Sequence, residues 1–219
     1  MIASARWELL WTSVGLKAVM AVSGAVLSGW ALLHMFGNLL IFGGPELING
    51  YAAALHAGPL VWIQRAVWIA ALAVHVAAAL VLTKRCKDAR PEPYRRPLRI
   101  RAGSMSARSM RYGGLALGLF LAYHVAHVYG ALHPSYVHLG VYSNVVRGLG
   151  DPVAGSLYVV ATLVFGLHLH HGTTSLLRSL GHARLFERAV RRLSLAFTVL
   201  LTLGFLAPCL AAMAGLLPA

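Results

Sequence analysis

Charged residues punctuate this chain at long intervals, and the stretches between them are apolar. After Lys17 the next charge is Glu46, and Arg65 and Lys84 enclose eighteen uncharged residues. The stretch from Arg111 to Arg147 is apolar to about Leu132, Asp151 to Arg178 forms another, and nothing is charged after Arg192. An α-helix rises about 1.5 Å per residue and must cross about 30 Å of hydrocarbon, so about 20 residues make one crossing. The pattern predicts five helices, at roughly 16–41, 62–83, 112–132, 154–177 and 193–217. The first apolar run is too long for a signal-peptide core and reads as a retained helix. The stretches 42–61 and 133–153, rich in Gly and aromatics, are expected to form short interfacial helices over one end of the bundle.

Composition sharpens this to a class. Hydrophobic residues make up 58% of the 219 and charged residues 11%, against roughly 25% charged in a soluble domain. Mean hydropathy is +0.70. So few charges cannot cover the surface of a soluble domain this size. The expectation is one all-α polytopic membrane domain over residues 1–219, not a soluble enzyme or a disordered tail. Cys86 and Cys209 are far apart, and neither a disulfide framework nor a zinc-type spacing is supported. No internal repeat, phosphate-binding loop or nucleophile triad stands out.

The net charge of +13 does not point to nucleic acid, because the basic residues lie in loops between apolar runs. Arg6 and Lys17 precede the first helix, ten basic residues fall in 84–111 and five in 178–192. The opposite side has only Arg65 and Arg147. The positive-inside rule then puts the N-terminus in the cytoplasm and the C-terminus outside. Pro91, Pro93 and Pro97 exclude a continuous helix through the 84–111 loop. That loop is either a solvated topology signal or a docking face for an acidic partner.

The chain also has eleven His, and ionisable residues within a bilayer are functional candidates. His34, His75, His124 and His168 each lie inside the apolar core of one of the first four helices. A lone buried His is most often a hydrogen-bonded core residue. One on each of four successive helices is a different pattern, since facing imidazoles in a bundle supply the axial nitrogens of haem. Depth along each helix sorts them. His34 and His124 fall toward the outer half, and His75 and His168 toward the cytoplasmic half. Two stacked bis-His haems follow, an inner one on His75 and His168 and an outer one on His34 and His124. Gly24, Gly29, Gly113, Gly114, Gly118, Gly166 and Gly172 allow close approach of helices or of a porphyrin face.

These residues carry a resemblance. Gly24 precedes His34 by ten residues, and Gly114 precedes His124 by ten. His75 sits late in its helix, and His168 is followed by Gly172, Ser175, Arg178 and Gly181. Over nearly its whole length the chain resembles the single-chain, five-helix, di-haem cytochrome b anchor of succinate:quinone oxidoreductases and fumarate reductases. The resemblance implies a five-helix bundle enclosing two b haems, with His75/His168 and His34/His124 as ligand pairs. It selects His124 over His127, and His168 over His170 and His171. It implies a flavoprotein and an iron-sulfur partner on the cytoplasmic side of the inner membrane, and menaquinone or ubiquinone as substrate. The chain would then be the membrane subunit of the enzyme, with dicarboxylate chemistry on a separate subunit. The whole complex could form a homo-oligomer. Some members carry acidic residues in the apolar core, where this chain has Gly166 two residues before His168. Arg65 is a candidate partner for a haem propionate, and Trp62, Trp68, Tyr136 and Tyr142 cluster near the outer interface. Alternative expectations are the cytochrome b of another quinone-linked dehydrogenase, and a transporter relaying protons through intramembrane His.

Overall fold

The computed structural model describes residues 9–89, 105–132, 136–138, 140–179 and 187–218. These residues are all-helical, with no strand among them. The helices are α1 (Ser13–Leu39), α2 (Pro45–His56), α3 (Leu60–Asp88), α4 (Met105–Val128), α5 (Val141–Gly150), α6 (Pro152–Ser179) and α7 (Glu187–Met213). Among the described residues, four helical stretches are long and apolar enough to cross a membrane: Ser13–Gly43, Leu60–Asp88, Pro152–Leu176 and Glu187–Met213. The 24 residues of α4 span about 36 Å, but Arg111, Tyr112, Tyr123, His124 and His127 make it more polar.

Boundaries differ from the sequence expectation where charge was read as a stop. The third helix continues through Lys84–Asp88, beyond the predicted 83, and those two residues pair across one turn at 2.7 Å. The last begins at Glu187, with Glu187 and Arg191 paired at 2.7 Å. Charge ends a hydrocarbon span but not a helix. At the other ends, local chemistry decides. The hydroxyl of Thr12 caps α1 by accepting from the Gly15 N–H at 3.0 Å. Asp151 Oδ1 caps α6 through the N–H groups of Val153 and Ala154, at 3.1 and 2.8 Å. The fourth helix stops at Val128, and Gly130 turns the chain with φ +82°. Arg95, Arg96 and Arg99 of the basic loop, and Gly181, lie outside the described residues.

Helix packing leaves two diagonals open. Backbones pack closely between α1 and α3, α4 and α6, α1 and α6, and α7 against both α1 and α6. Neither α1 with α4 nor α3 with α6 makes more than marginal backbone contact. Small residues set the tight seams. Gly204 on α7 receives the Met35 thioether of α1, and Gly166 on α6 faces Thr202 of α7. The two short helices, α2 and α5, pack over one end of the bundle. Ile41, Ile48, Tyr142, Val146 and Leu149 form a core there with Cys209 of α7. Asn49 Oδ1 ties the two, accepting from the Tyr142 N–H at 3.0 Å.

Candidate functional site

The four helices that carry the predicted histidines enclose a cavity of about 1650 Å³. Ligand pockets usually measure about 300–1,000 Å³, so this one exceeds the space for a single small ligand. Most of its wall comes from α1, α3, α4 and α6; α7 adds Phe205, Pro208 and Cys209, and the short helices α2 and α5 close one end with residues such as Ile48, Ala52, Val145 and Leu149. His34, His75, His124 and His168 all line it. They are only half-buried, although all four lie within helices that pack into the bundle.

Within this cavity the imidazoles stand in two pairs. His34 and His124 have ring centres 6.1 Å apart, and His75 and His168 have theirs 6.5 Å apart. Each pair joins helices on a diagonal, α1 with α4 and α3 with α6. A metal between two imidazoles, with bonds of about 2.0–2.1 Å and about 1.1 Å from nitrogen to ring centre, sets the rings about 6.3 Å apart. Both observed separations fall close to that value. No cluster of three or more His, Cys, Asp or Glu suited to a metal occurs among the described residues. The arrangement is one of pairs.

The glycines of the sequence motif face the pairs from neighbouring helices. A methyl group on Gly24 would lie 3.2 Å from His75 Cε1, and one on Gly114 would lie 3.6 Å from His168 Cε1. Gly24 is therefore level with His75, and Gly114 with His168. Each sits ten residues before the His of its own helix, which belongs to the other pair. Ten residues of helix rise about 15 Å, so α1 and α4 independently place the two pairs about 15 Å apart along the bundle. Tyr158 gives the same spacing on α6, since it touches His124 and precedes His168 by ten residues.

Neighbouring groups fix several of these rings. His75 Nδ1 lies 3.1 Å from the Met20 carbonyl and 3.3 Å from Ser23 Oγ. With Nδ1–H donating to that carbonyl, Nε2 is the nitrogen left with a lone pair. Trp30 stacks on His34, with ring centres 4.8 Å apart and planes at 17°. His124 Nδ1 lies 3.0 Å from Tyr158 Oη. His168 Nδ1 is buried without a hydrogen-bond partner among the described residues, so none of them pins its ring by such a bond. These features fit a planar, metal-bearing group at each pair: two imidazoles at ligating separation, and glycine faces beside the inner one.

Other sequence candidates separate by position. His171 lines the cavity with Ser175, whereas His170 does not line it. His127 is buried and bonds to Tyr158 at 3.0 Å. At one mouth of the cavity stand Lys17 and Arg111. Arg65 stands at the other, 4.9 Å from the Trp62 ring centre and 5.6 Å from that of Tyr129. An Arg65 guanidinium N–H points to His56 Nε2 at 3.3 Å. Tyr136 also lines this mouth, while Tyr142 is part of the apolar core and Arg147 is exposed. Sequence reading passed over Tyr158 and Trp30, although the ten-residue offset from Tyr158 to His168 repeats the Gly24–His34 and Gly114–His124 offsets.

No family model matches this chain, and no curated protein or solved structure matches it. Fold and site define a membrane-type helical protein with paired imidazoles around an internal cavity.

Proposed function

We propose that this chain is the di-haem cytochrome b anchor of a succinate:quinone oxidoreductase or fumarate reductase, with α4 as a fifth membrane span. The observation that carries the reading is the two imidazole pairs, at 6.1 and 6.5 Å, on two levels of one cavity. His75 and His168 would hold the inner haem, and His34 and His124 the outer one. When bound, the haems supply one-electron transfer between a cytoplasmic iron-sulfur partner and membrane quinone.

The chain's own residues prepare for this role. The Met20 carbonyl holds the His75 proton on Nδ1 and leaves Nε2 to ligate. Gly24 and Gly114 leave room beside the Cε1 edges of His75 and His168, where any larger side chain would crowd the rings. Lys17 and Arg111 at the inner mouth, and Arg65 at the outer one, offer cations to the acidic edge groups of a bound cofactor. By the positive-inside rule the His75/His168 level would lie in the cytoplasmic half of the membrane, and quinone would bind at the outer mouth beside Arg65, Tyr129 and Tyr136. A flavoprotein subunit binds through the iron-sulfur subunit.

The test is a reduced-minus-oxidised visible spectrum of the chain purified with whatever subunits accompany it, and the masses of those subunits. The reading expects a b-type band, two haems per chain, and co-purifying flavoprotein and iron-sulfur subunits. No b-type band would sink the haem assignment. A band with a different set of partners would move the chain to another quinone-linked dehydrogenase.

A further inference from the structure

One hydroxyl in the cavity wall serves two imidazoles. Tyr158 Oη on α6 lies 3.0 Å from His124 Nδ1 and 3.0 Å from His127 Nδ1, both on α4. A ring of aromatics holds the arrangement. Phe120 meets Tyr158 edge-on, with ring centres 5.0 Å apart. Tyr123 stacks on His127 at 5.5 Å, with planes at 11°. His127 is 6% exposed, so its imidazole cannot exchange this bond for water without opening the cluster.

Proton counting gives the cluster a direction. A phenol has one hydrogen to donate and lone pairs to accept with. A His that ligates through Nε2 carries its proton on Nδ1. His124 Nδ1–H therefore donates to Tyr158 Oη. The Tyr158 hydrogen then goes to His127 Nδ1, which is an acceptor when the His127 proton sits on Nε2. The chain runs His124 to Tyr158 to His127, and both Nδ1 contacts of the phenol are accounted for. We propose that Tyr158 is a positioning residue for the outer haem, fixing the tautomer and electron donation of His124, and that His127 acts through Tyr158. This rests on the bis-His reading of the His34/His124 pair.

Donation from Tyr158 to His127 makes the phenol oxygen a better acceptor, because linked hydrogen bonds polarise one another. A better acceptor draws the His124 proton outward and makes Nε2 a stronger donor to a metal. A stronger nitrogen donor favours the ferric over the ferrous state. Tyr158 and His127 together thus hold the outer potential down. The inner pair is held differently, with no tyrosine relay: His75 donates to a backbone carbonyl, and His168 Nδ1 has no hydrogen-bond partner among the described residues.

The experiment is a potentiometric titration of each haem in the purified complex, comparing wild type, Tyr158→Phe, His127→Phe and the double variant. Phenylalanine keeps both rings and removes only the polar atoms. Tyr158→Phe is expected to shift the ferric-to-ferrous balance of the outer haem roughly tenfold toward ferrous, about +59 mV for one electron. The inner haem stays at its wild-type value. His127→Phe moves the outer potential the same way by less, and adds nothing once Tyr158 is Phe. An unmoved outer potential in Tyr158→Phe overturns the proposal, as does an equal shift in both haems or a His127 effect that adds fully to that of Tyr158. If Tyr158→Phe does not assemble, His127→Phe decides alone: the outer potential must rise and the inner must not. Absence of b-type haem from the wild type would refute the parent reading instead, before any variant is compared.

Discussion

At the scale of single residues, the paired imidazoles make separable predictions. His168 and His75 share one level of the cavity, and His34 and His124 the other, about 15 Å away by helix rise. If the chain holds two haems as proposed, replacing His168 by Leu is expected to abolish the low-spin electron paramagnetic resonance signal of the inner one and spare the outer one. His34→Leu should do the reverse, and His127→Leu should leave two low-spin signals present. If His75→Leu and His34→Leu removed the same signal, the pairing would be wrong. Gly24 offers a test without touching a ligand. A methyl there would lie 3.2 Å from His75 Cε1, tighter than comfortable contact, and a branched side chain has no room. Gly24→Val should therefore displace the His75 ring at a cost of about 1–3 kcal/mol. The inner haem signal should weaken or shift while the outer one stays put. An unchanged inner signal would remove Gly24 from the cofactor wall.

Between elements, the α7 seams hold the four-helix frame together without building the cavity. Met35 is fully buried with its thioether against Gly204, and Leu169 and Leu201 complete that small core. Gly204→Val should push Met35 out of place and destabilise the α1–α7 contact by about 1–3 kcal/mol. Thermal unfolding of the detergent-solubilised protein would register it as a lower midpoint; an unaltered midpoint would show the seam is loose. Much of this level could be read from sequence, because hydrocarbon demands long uncharged helices and depth follows from counting residues. That His34 pairs with His124 and His75 with His168 along one cavity was legible for that reason. Helix ends were not, since Lys84–Asp88 continue α3 past the apolar run. Nor were lateral contacts: the count along α1 cannot say that Gly24 abuts a ring on α3. The ten-residue offset from Tyr158 to His168 could have drawn attention to Tyr158, but its role stayed hidden because the groups it bonds lie on a neighbouring helix.

For the whole molecule, charge asymmetry and the stacked pairs point the same way. Seventeen of the nineteen basic residues fall on the side that the positive-inside rule makes cytoplasmic. The His75/His168 level is the one toward that side, near Lys17 and Arg111 at the cavity mouth. An electron donor or acceptor docking on this face would meet the inner haem first, and the outer haem would serve the far side. Topology alone would account for an excess of Lys and Arg, so docking needs its own test. Charge complementarity mainly sets orientation and encounter rate, and it weakens as salt screens it. Replacing Arg95, Arg96 and Arg99 together by Ser leaves the loop with seven basic residues of its ten, enough to keep the orientation. The triple variant is expected to retain both haem signals while binding the iron-sulfur subunit more weakly. Its binding should also fall less steeply with salt than wild type, because fewer charges remain to screen. Co-purification yield over a salt series measures both quantities. If the variant assembles as well as wild type at every salt concentration, these arginines act in topology only. If it loses haem as well, the substitution has disturbed the bundle itself, and the docking role assigned to them fails.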